Sequence, residues 1–221
     1  MRAGWNGIIA VLASLAVFCS TAPAQTVDSV ITNALFEPHS VAVDPNNNIY
    51  VSDSANNRIV KLASDSTLLS VLSGVACQSG TRDGVGLLDR FASPEGLVLA
   101  RGGLVVADSA NHTIRFVTLT GTASTLAGTP GTPGFADGAG AAAAFSFPIG
   151  LGADTNVNVF IADSKNQAIR KLDTTDVVST IPIAVGELFE TSSVVVGDDN
   201  NLWVADTRNH TVKLIAQDGT V

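Results

Sequence analysis

The feature that most constrains this sequence is a short segment that occurs four times. In each copy an apolar run leads into Asp, Ser or Thr, a variable residue and Asn, and a second apolar run follows. The four Asp and Asn pairs are Asp53 and Asn56, Asp108 and Asn111, Asp163 and Asn166, and Asp206 and Asn209. Asp and Asn side chains bond backbone N–H groups in turns and tolerate the dihedral angles that hairpins need. Each copy therefore predicts two short strands joined by a polar turn, and the Asp and Asn residues are interpreted as structural.

Two further runs accompany each hairpin. An apolar run of small or β-branched residues precedes it, at residues 38–43, 94–99, 148–153 and 191–196. Such short runs, bounded by turn-forming residues, are typical of strands buried on both faces. Another run follows the first three hairpins, at residues 67–72, 121–127 and 177–183. Each full unit then has four short antiparallel strands, of which the first is the innermost.

The predicted fold is all-β, a β-propeller of four-stranded antiparallel blades. A four-stranded sheet cannot cover both of its own faces, so repeated sheets of this kind stack around a common axis. The blade cores are predicted near 38–72, 94–127, 148–183 and 191–221.

The repeated pattern P-x-G-[IVL]-A-V-D, followed by N-[IL]-[YW]-V-[AS]-D-x-x-N-x-x-I-[RK], resembles the NHL repeat. The resemblance extends over essentially the whole chain after residue 24, and it is weaker in the fourth copy, where Thr191 and Ser193 replace Pro and Gly. Membership of this family implies a propeller that typically has six blades.

Four copies leave two interpretations open. In one, residues 26–31 supply the outer strand of the fourth blade and close a four-bladed ring. In the other, the chain is part of a larger propeller, with an open sheet edge.

The first residues are typical of an export signal. Arg2 precedes an apolar run at residues 8–19, and Ala22 and Ala24 are small residues where a signal peptidase cleaves. We expect residues 1–24 to be a signal peptide, residues 25–221 to be the NHL-type propeller, and the protein to be secreted, periplasmic or otherwise extracytoplasmic. The apolar run is too short to span a bilayer, so no membrane span is expected after signal removal.

The charge balance limits the partners. The chain has 12 Lys and Arg against 20 Asp and Glu, a formal charge of -8. Nucleic-acid binding depends on clustered cations, so it is excluded, and anionic partners are disfavoured. Proteins and neutral carbohydrates remain as partners.

Candidate binding residues occupy the second position of each predicted innermost strand, where side chains point toward the mouth of the central channel. These residues are His39, Glu95, Ile149 and Ser192. The sequence around His39 resembles the zinc-binding histidine context of the peptidyl-amidoglycolate lyases, which share this repeat. Those enzymes use several such histidines, whereas the equivalent positions here hold only one. The sequence therefore predicts no metal site and no cofactor.

Two long connections share a glycine-rich motif. Asp83 and Asp137 lie 11 residues before Pro94 and Pro148, each within a Gly-rich segment. Calcium takes six to eight oxygen ligands, and one carboxylate in each loop falls short of that number. Turn formation is the favoured interpretation, and calcium is an unsupported option.

The sequence favours an exported, non-enzymatic binding or assembly scaffold. Repeated cores maintain the shape of a propeller, and the least repetitive loops and the channel mouth carry its specificity. The alternative is a metal-dependent hydrolase or lyase of propeller fold, lactonase-like or amidoglycolate-lyase-like, that uses the central channel.

Overall fold

The computed structural model describes residues 34–66 and 68–221. The predicted signal peptide at 1–24 and the closing strand expected at 26–31 lie outside the described residues. Within the described ranges, the regular structure consists of seventeen β-strands and six single-turn 3₁₀ helices. No helix in these ranges is long and apolar enough to cross a membrane.

The strands form four antiparallel sheets, which are arranged as the blades of a propeller. Blade 1 comprises β1 (Pro38–Val43), β2 (Ile49–Asp53), β3 (Arg58–Leu62) and β4 (Leu69–Gly74). Blade 2 comprises β5 (Gly84–Val85), β6 (Pro94–Ala100), β7 (Gly103–Asp108), β8 (Thr113–Thr118) and β9 (Thr122–Ala127). Blade 3 comprises β10 (Gly138–Ala139), β11 (Pro148–Ala153), β12 (Val159–Asp163), β13 (Ala168–Leu172) and β14 (Val177–Thr180), and blade 4 comprises β15 (Thr191–Val196), β16 (Leu202–Asp206) and β17 (Thr211–Ile215). The predicted propeller is therefore confirmed.

The number of strands differs from the expected four in three blades. Blades 2 and 3 have five strands, because the glycine-rich connections add β5 beside β9 and β10 beside β14. Asp83 and Asp137 cause this addition, since their carboxylates accept bonds from the backbone and hydroxyl of Thr125 and Thr180 on the outer strands. Blade 4 has three strands among the described residues. The outer strand of blade 1 runs over Leu69–Gly74 instead of 67–72, and that of blade 3 ends at Thr180 instead of 183.

Each hairpin turns through the same backbone conformation. The Asp ends the strand next to the innermost one, which is β2, β7, β12 or β16 in the four blades, and the next three residues form a 3₁₀ turn. The residue after the Asn then adopts a left-handed conformation, at Asn57 (φ 56°), His112 (φ 59°), Gln167 (φ 55°) and His210 (φ 55°). Polar residues such as Asn and His tolerate this conformation best among residues other than glycine. The chain reverses here, so the third strand pairs antiparallel with the second.

The core lies between blades. Alternate residues of one strand face opposite neighbours: Leu104 and Val106 of β7 pack with Tyr50 of blade 1, whereas Val105 packs with Ile161 of blade 3. A third apolar cluster joins blade 3 to blade 4. On the opposite face of blade 4, Val195, Trp203 and Val212 are exposed. Each sheet therefore obtains its buried area chiefly from the next sheet along the chain.

The innermost strands β1, β6, β11 and β15 lie around a central channel, each in contact with the next. Glycine permits the closest approaches. A Cβ atom on Gly96 would lie 2.0 Å from the carbonyl oxygen of Ile149, and one on Gly150 would lie 2.5 Å from the Cα of Ser193. Side chains larger than hydrogen at these positions would separate adjacent blades.

Buried arginines join the glycine-rich connections to the hairpins of blades 2 and 3. The guanidinium of Arg115 contacts Asp108 at 2.9 Å and Asp83 at 2.7 Å, and Arg170 contacts Asp163 and Asp137, both at 2.8 Å. Neither arginine side chain is accessible to solvent. A buried charge without its partner is strongly unfavourable, so each arginine and its two aspartates depend on one another.

We expect Arg115→Met to lower the free energy of unfolding by about 3–5 kcal/mol, because two carboxylates, one of them wholly buried, lose their cation. Arg208→Met is the matched control, since Arg208 is 61% exposed and pairs with Glu190 at the surface. That change is expected to lower the free energy by about 1 kcal/mol or less. Urea denaturation measures both, and equal losses in the two variants would contradict the assignment of Arg115 as a buried tie.

Candidate functional site

The innermost strands surround a cavity of about 630 Å³. It is lined by residues 39–42, 96–98, 150–153 and 192–196, so all four blades contribute to it. The lining residues are mostly small or aliphatic, and His39, Ser40, Ser192 and Ser193 are its polar members. This volume lies within the range of cavities that bind small ligands.

His39, which lines the cavity, lies beside Glu95 of the adjacent blade. His39 follows Pro38 on β1 and Glu95 follows Pro94 on β6, and both prolines pair with the hairpin Asp of their own blade. The His39 Nε2 and Glu95 Oε2 atoms are 3.7 Å apart. The His39 side chain is 45% exposed and the Glu95 side chain is 14% exposed. The structure thus brings together two of the four predicted channel-mouth residues, from adjacent blades.

The other two predicted residues occupy equivalent places but make different contacts. Ser192 lines the cavity, and its hydroxyl accepts a 2.6 Å bond from the Thr207 hydroxyl. Ile149, like Glu95, is followed by a glycine that lines the cavity. No hydrogen bond or ion pair between described residues connects Ile149 or Ser192 to His39 and Glu95. Of the four predicted residues, His39 and Ser192 line the cavity, Glu95 contacts His39, and the four do not form a single cluster.

Burial shifts both titratable groups toward their neutral forms. Desolvation raises the pKa of Glu95 to about 7 and lowers the pKa of His39 below its usual value. At 3.7 Å an ion pair is geometrically allowed, but both shifts oppose it, and the distance is too long for a hydrogen bond. We therefore describe the two side chains near neutral pH as neighbours without a mutual ion pair.

The eight hairpin residues have structural contacts. The Oδ1 atom of each Asp accepts a backbone N–H bond from the segment before its own innermost strand, at Phe36, Ala92, Ser146 and Phe189. The amide of each Asn donates to the Asp carboxylate three residues earlier. Each carboxylate thus ties a hairpin to the start of the innermost strand, a longer-range contact than the local turn bonds that the sequence suggested.

The serine after the Asp connects consecutive blades. Ser54 donates its hydroxyl to the carbonyl of Pro94 at 2.5 Å, and Ser109 donates to the carbonyl of Pro148 at 2.6 Å. In addition, Ser52 donates to the carbonyl of Glu95 at 2.6 Å. These bonds fix where the innermost strand of the following blade begins, and therefore where Glu95 lies.

The two glycine-rich connections do not leave their carboxylates free. Asp83 and Asp137 each accept hydrogen bonds from an arginine guanidinium and from an outer-strand threonine. These bonds use the carboxylate oxygens that a calcium ion would need. More generally, no group of three or more His, Cys, Asp or Glu side chains within 34–66 and 68–221 is arranged to hold a metal ion. The exposed apolar part of the first connection is formed by Val85, Leu87 and Leu88.

Sequence reasoning missed the roles of Arg115 and Arg170. A signal was present, because Arg follows the hairpin Asp by seven residues in the two repeats that also have a glycine-rich Asp. The equivalent positions hold Val60 and Lys213. In blade 1, Arg58 pairs with Asp53 instead, and in blade 4, Lys213 pairs mainly with Glu187.

Comparison with known proteins agrees with this architecture. Residues 37–62, 91–115 and 192–213 match the NHL repeat. These residues lie in the first, second and fourth copies, although the fourth was expected to resemble the repeat least. The chain is 33% identical over 152 residues to Protein SUPPRESSOR OF QUENCHING 1, chloroplastic, of Arabidopsis thaliana, covering 64% of this chain and 14% of that protein. It is 32% identical over 151 residues to NHL repeat-containing protein 2 of Bos taurus, covering 57% of this chain and 21% of that protein.

Solved structures share the fold at low sequence identity. A streptogramin B lyase superposes with a TM-score of 0.62 at 13% identity, over 82% of this chain and 52% of that chain. An auxiliary nutrient binding protein from Bacteroides thetaiotaomicron superposes with a TM-score of 0.61 at 13% identity, over 76% of this chain and 44% of that chain. The fold defines the class as a β-propeller. This chain contains NHL repeats, and it spans about half the length of these structures and less than a quarter of the two sequence relatives.

We expect the carboxyl carbon of Glu95, followed by NMR, to titrate with a midpoint near pH 7 because burial disfavours its charge. Glu190 is an internal reference, since bonds from Lys165 and Arg208 hold its pKa below the usual value. A Glu95 midpoint near 4.5 would show that the carboxylate is well solvated, contrary to the structure.

The raised pKa of Glu95 also makes the stability of the folded protein depend on pH. The folded protein binds the Glu95 proton more tightly than the unfolded chain, so this contribution is complete below about pH 4.5 and is lost as the pH rises through about 7. We compare the free energy of unfolding of Glu95→Gln with that of the native chain. This difference is expected to shift in favour of the variant as the pH rises from 4 to 8, by at most about 3 kcal/mol. Thermal melts at both pH values measure the difference, and an equal difference at both would contradict the shift.

Proposed function

We propose that this chain is a non-enzymatic binding or assembly module that contacts a protein or a neutral carbohydrate at the channel mouth and the adjacent loops. The observation that carries the proposal is the 630 Å³ cavity, whose lining residues contain one titratable side chain, His39. Small-ligand sites typically combine an apolar lining with a few convergent polar groups. The description of one structural neighbour as an auxiliary nutrient binding protein supports a binding role.

The loops offer a second contact area. Val85, Leu87 and Leu88 are each more than half exposed on the connection between blades 1 and 2. The anchoring of Asp83 by Arg115 holds the base of this connection against blade 2. A fixed loop with exposed aliphatic side chains suits a protein partner, because less conformational freedom is lost on binding.

The alternative is a metal-dependent hydrolase or lyase that uses the same channel, and the lyase among the structural neighbours favours it. A catalytic zinc uses about three protein ligands. Of the predicted channel-mouth residues, His39 and Glu95 have side chains that can bind zinc, and they lie 3.7 Å apart. Metal analysis of protein purified without chelators, with melting curves in EDTA, tests this alternative: stoichiometric metal that is lost in His39→Ala would favour the enzyme.

Filling the channel mouth tests the binding role. We expect Ser192→Trp to weaken binding at least about tenfold on arrays of neutral oligosaccharides and immobilised peptides, because the indole occupies part of the cavity that Ser192 lines. Ser124→Trp, on the exposed side of β9, is the matched control and is expected to bind like the native chain. The proposal fails if the native chain binds no probe, or if both variants bind equally well.

A further inference from the structure

Glu95 differs from the buried carboxylates of this chain in having no donor. Asp53, Asp89, Asp108, Asp163 and Asp206 are wholly buried, and each accepts at least two hydrogen bonds from neighbouring groups. The Glu95 side chain is 14% exposed and accepts none from the described residues. Because the Glu95 carboxylate is partly accessible and has no donor among the described residues, its oxygens are free to accept hydrogen bonds from a ligand.

The position of this carboxylate is fixed. Its own carbonyl accepts a bond from Ser52 of blade 1, and the carbonyl of Pro94 accepts one from Ser54. Gly96, the next residue, lines the cavity and is held against Ile149 of blade 3. The backbone on both sides of Glu95 is therefore clamped by adjacent blades, and the carboxylate lies 3.7 Å from the imidazole of His39, which lines the cavity.

No cation of the described residues is available to Glu95. The innermost strands β1, β6, β11 and β15 contain neither Lys nor Arg. Of the strands packed against β6, β1 contributes His39 and β11 contributes no titratable group. Strands β2 and β7 contribute Asp53 and Asp108, whose carboxylates face Arg58 and Arg115. Strand β2 also contains Tyr50, whose hydroxyl donates to Asp44. Burial lowers the pKa of His39, which keeps the imidazole neutral near pH 7.

The rest of the cavity is apolar. Beyond His39 and the serines, its walls consist of glycine, alanine, valine and leucine, and its volume of about 630 Å³ exceeds what a small polar ion needs. An unpaired carboxylate at the end of an aliphatic channel complements a ligand with a cationic head and a hydrocarbon body. The formal charge of -8 on the chain also attracts cations.

We propose that Glu95 binds an organic primary ammonium group whose unbranched alkyl chain lies along the channel between the innermost strands. The ammonium group donates hydrogen bonds to the carboxylate, His39 borders the head group, and the alkyl chain contacts the partly accessible lining residues Val98 and Leu151. This inference rests on the proposed use of the channel mouth and narrows its ligand chemistry. A free alkylamine and the lysine side chain of a polypeptide both have this chemistry.

The test is isothermal titration calorimetry at pH 8 with hexylamine, and with 1-hexanol as the neutral ligand of similar length. We expect hexylammonium to bind at least about tenfold more tightly than hexanol, since one charge-assisted hydrogen bond distinguishes them. Glu95→Gln is expected to remove this preference. Glu37→Gln, which removes the same charge at an exposed residue two positions before His39, is expected to keep it.

Protonation gives an independent measurement on the native chain, which keeps the inference testable if Glu95→Gln does not fold. Because the pKa of Glu95 is raised to about 7 and alkylamines stay protonated, affinity for hexylammonium is expected to fall about tenfold from pH 8 to pH 6. Titrations in buffers of different ionisation enthalpy should show proton release from the complex near pH 7. Affinity independent of pH would overturn the inference.

One further ligand distinguishes free alkylamines from lysine side chains, and two results would overturn the inference. Nα-acetyl-lysine methylamide binding like hexylamine assigns the site to lysine side chains, and binding of hexylamine alone assigns it to free amines. Equal affinity for hexylamine and hexanol, or unchanged hexylamine binding by Glu95→Gln, overturns the inference. If that result occurs while Ser192→Trp still abolishes binding to oligosaccharides or peptides, the proposed function stands and only the ammonium ligand is wrong.

Discussion

The structure depends on a buried Asp carboxylate that recurs in every blade, at the end of the strand next to the innermost one. A buried charge is tolerated only where several donors face it, and each of these aspartates faces a backbone N–H, an asparagine amide and, in three blades, an arginine side chain. The backbone N–H belongs to the residue that leads into the innermost strand. The carboxylate therefore joins the hairpin to the innermost strand within a blade, and in blades 1 and 2 the serine after it joins that blade to the next one.

These ties position the site. The innermost strands of the four sheets line one cavity, and the glycines on those strands allow adjacent blades to approach closely. The second residues of β1 and β15, His39 and Ser192, line this cavity. His39 and Glu95 come from different blades, 56 positions apart in the chain, and they are 3.7 Å apart only because the blades are in register.

Much of the fold was predictable because the sequence repeats. The hairpins of Asp53, Asp108, Asp163 and Asp206 predicted the strand order, and the small residues before them predicted the innermost strands. The channel-mouth positions followed from the same alignment. The short fifth strands of blades 2 and 3 were not predictable in this way, because they depend on contacts between Asp83 and Thr125, and between Asp137 and Thr180, more than forty residues apart. The absence of a hydrogen-bond donor to Glu95 among the described residues was also not predictable, because it depends on which side chains every neighbouring strand places near it.

Native-state hydrogen exchange of four backbone amides tests the central claim most directly. These amides belong to Phe36, Ala92, Ser146 and Phe189, which lie outside the strands and donate to the hairpin aspartates. If the carboxylates organise the blades, these amides exchange as slowly as the amides of the second and third strands and open only with them. Exchange at the rate of exposed loop amides, while the strands stay protected, would show that the blades hold together without this interaction and would contradict the account.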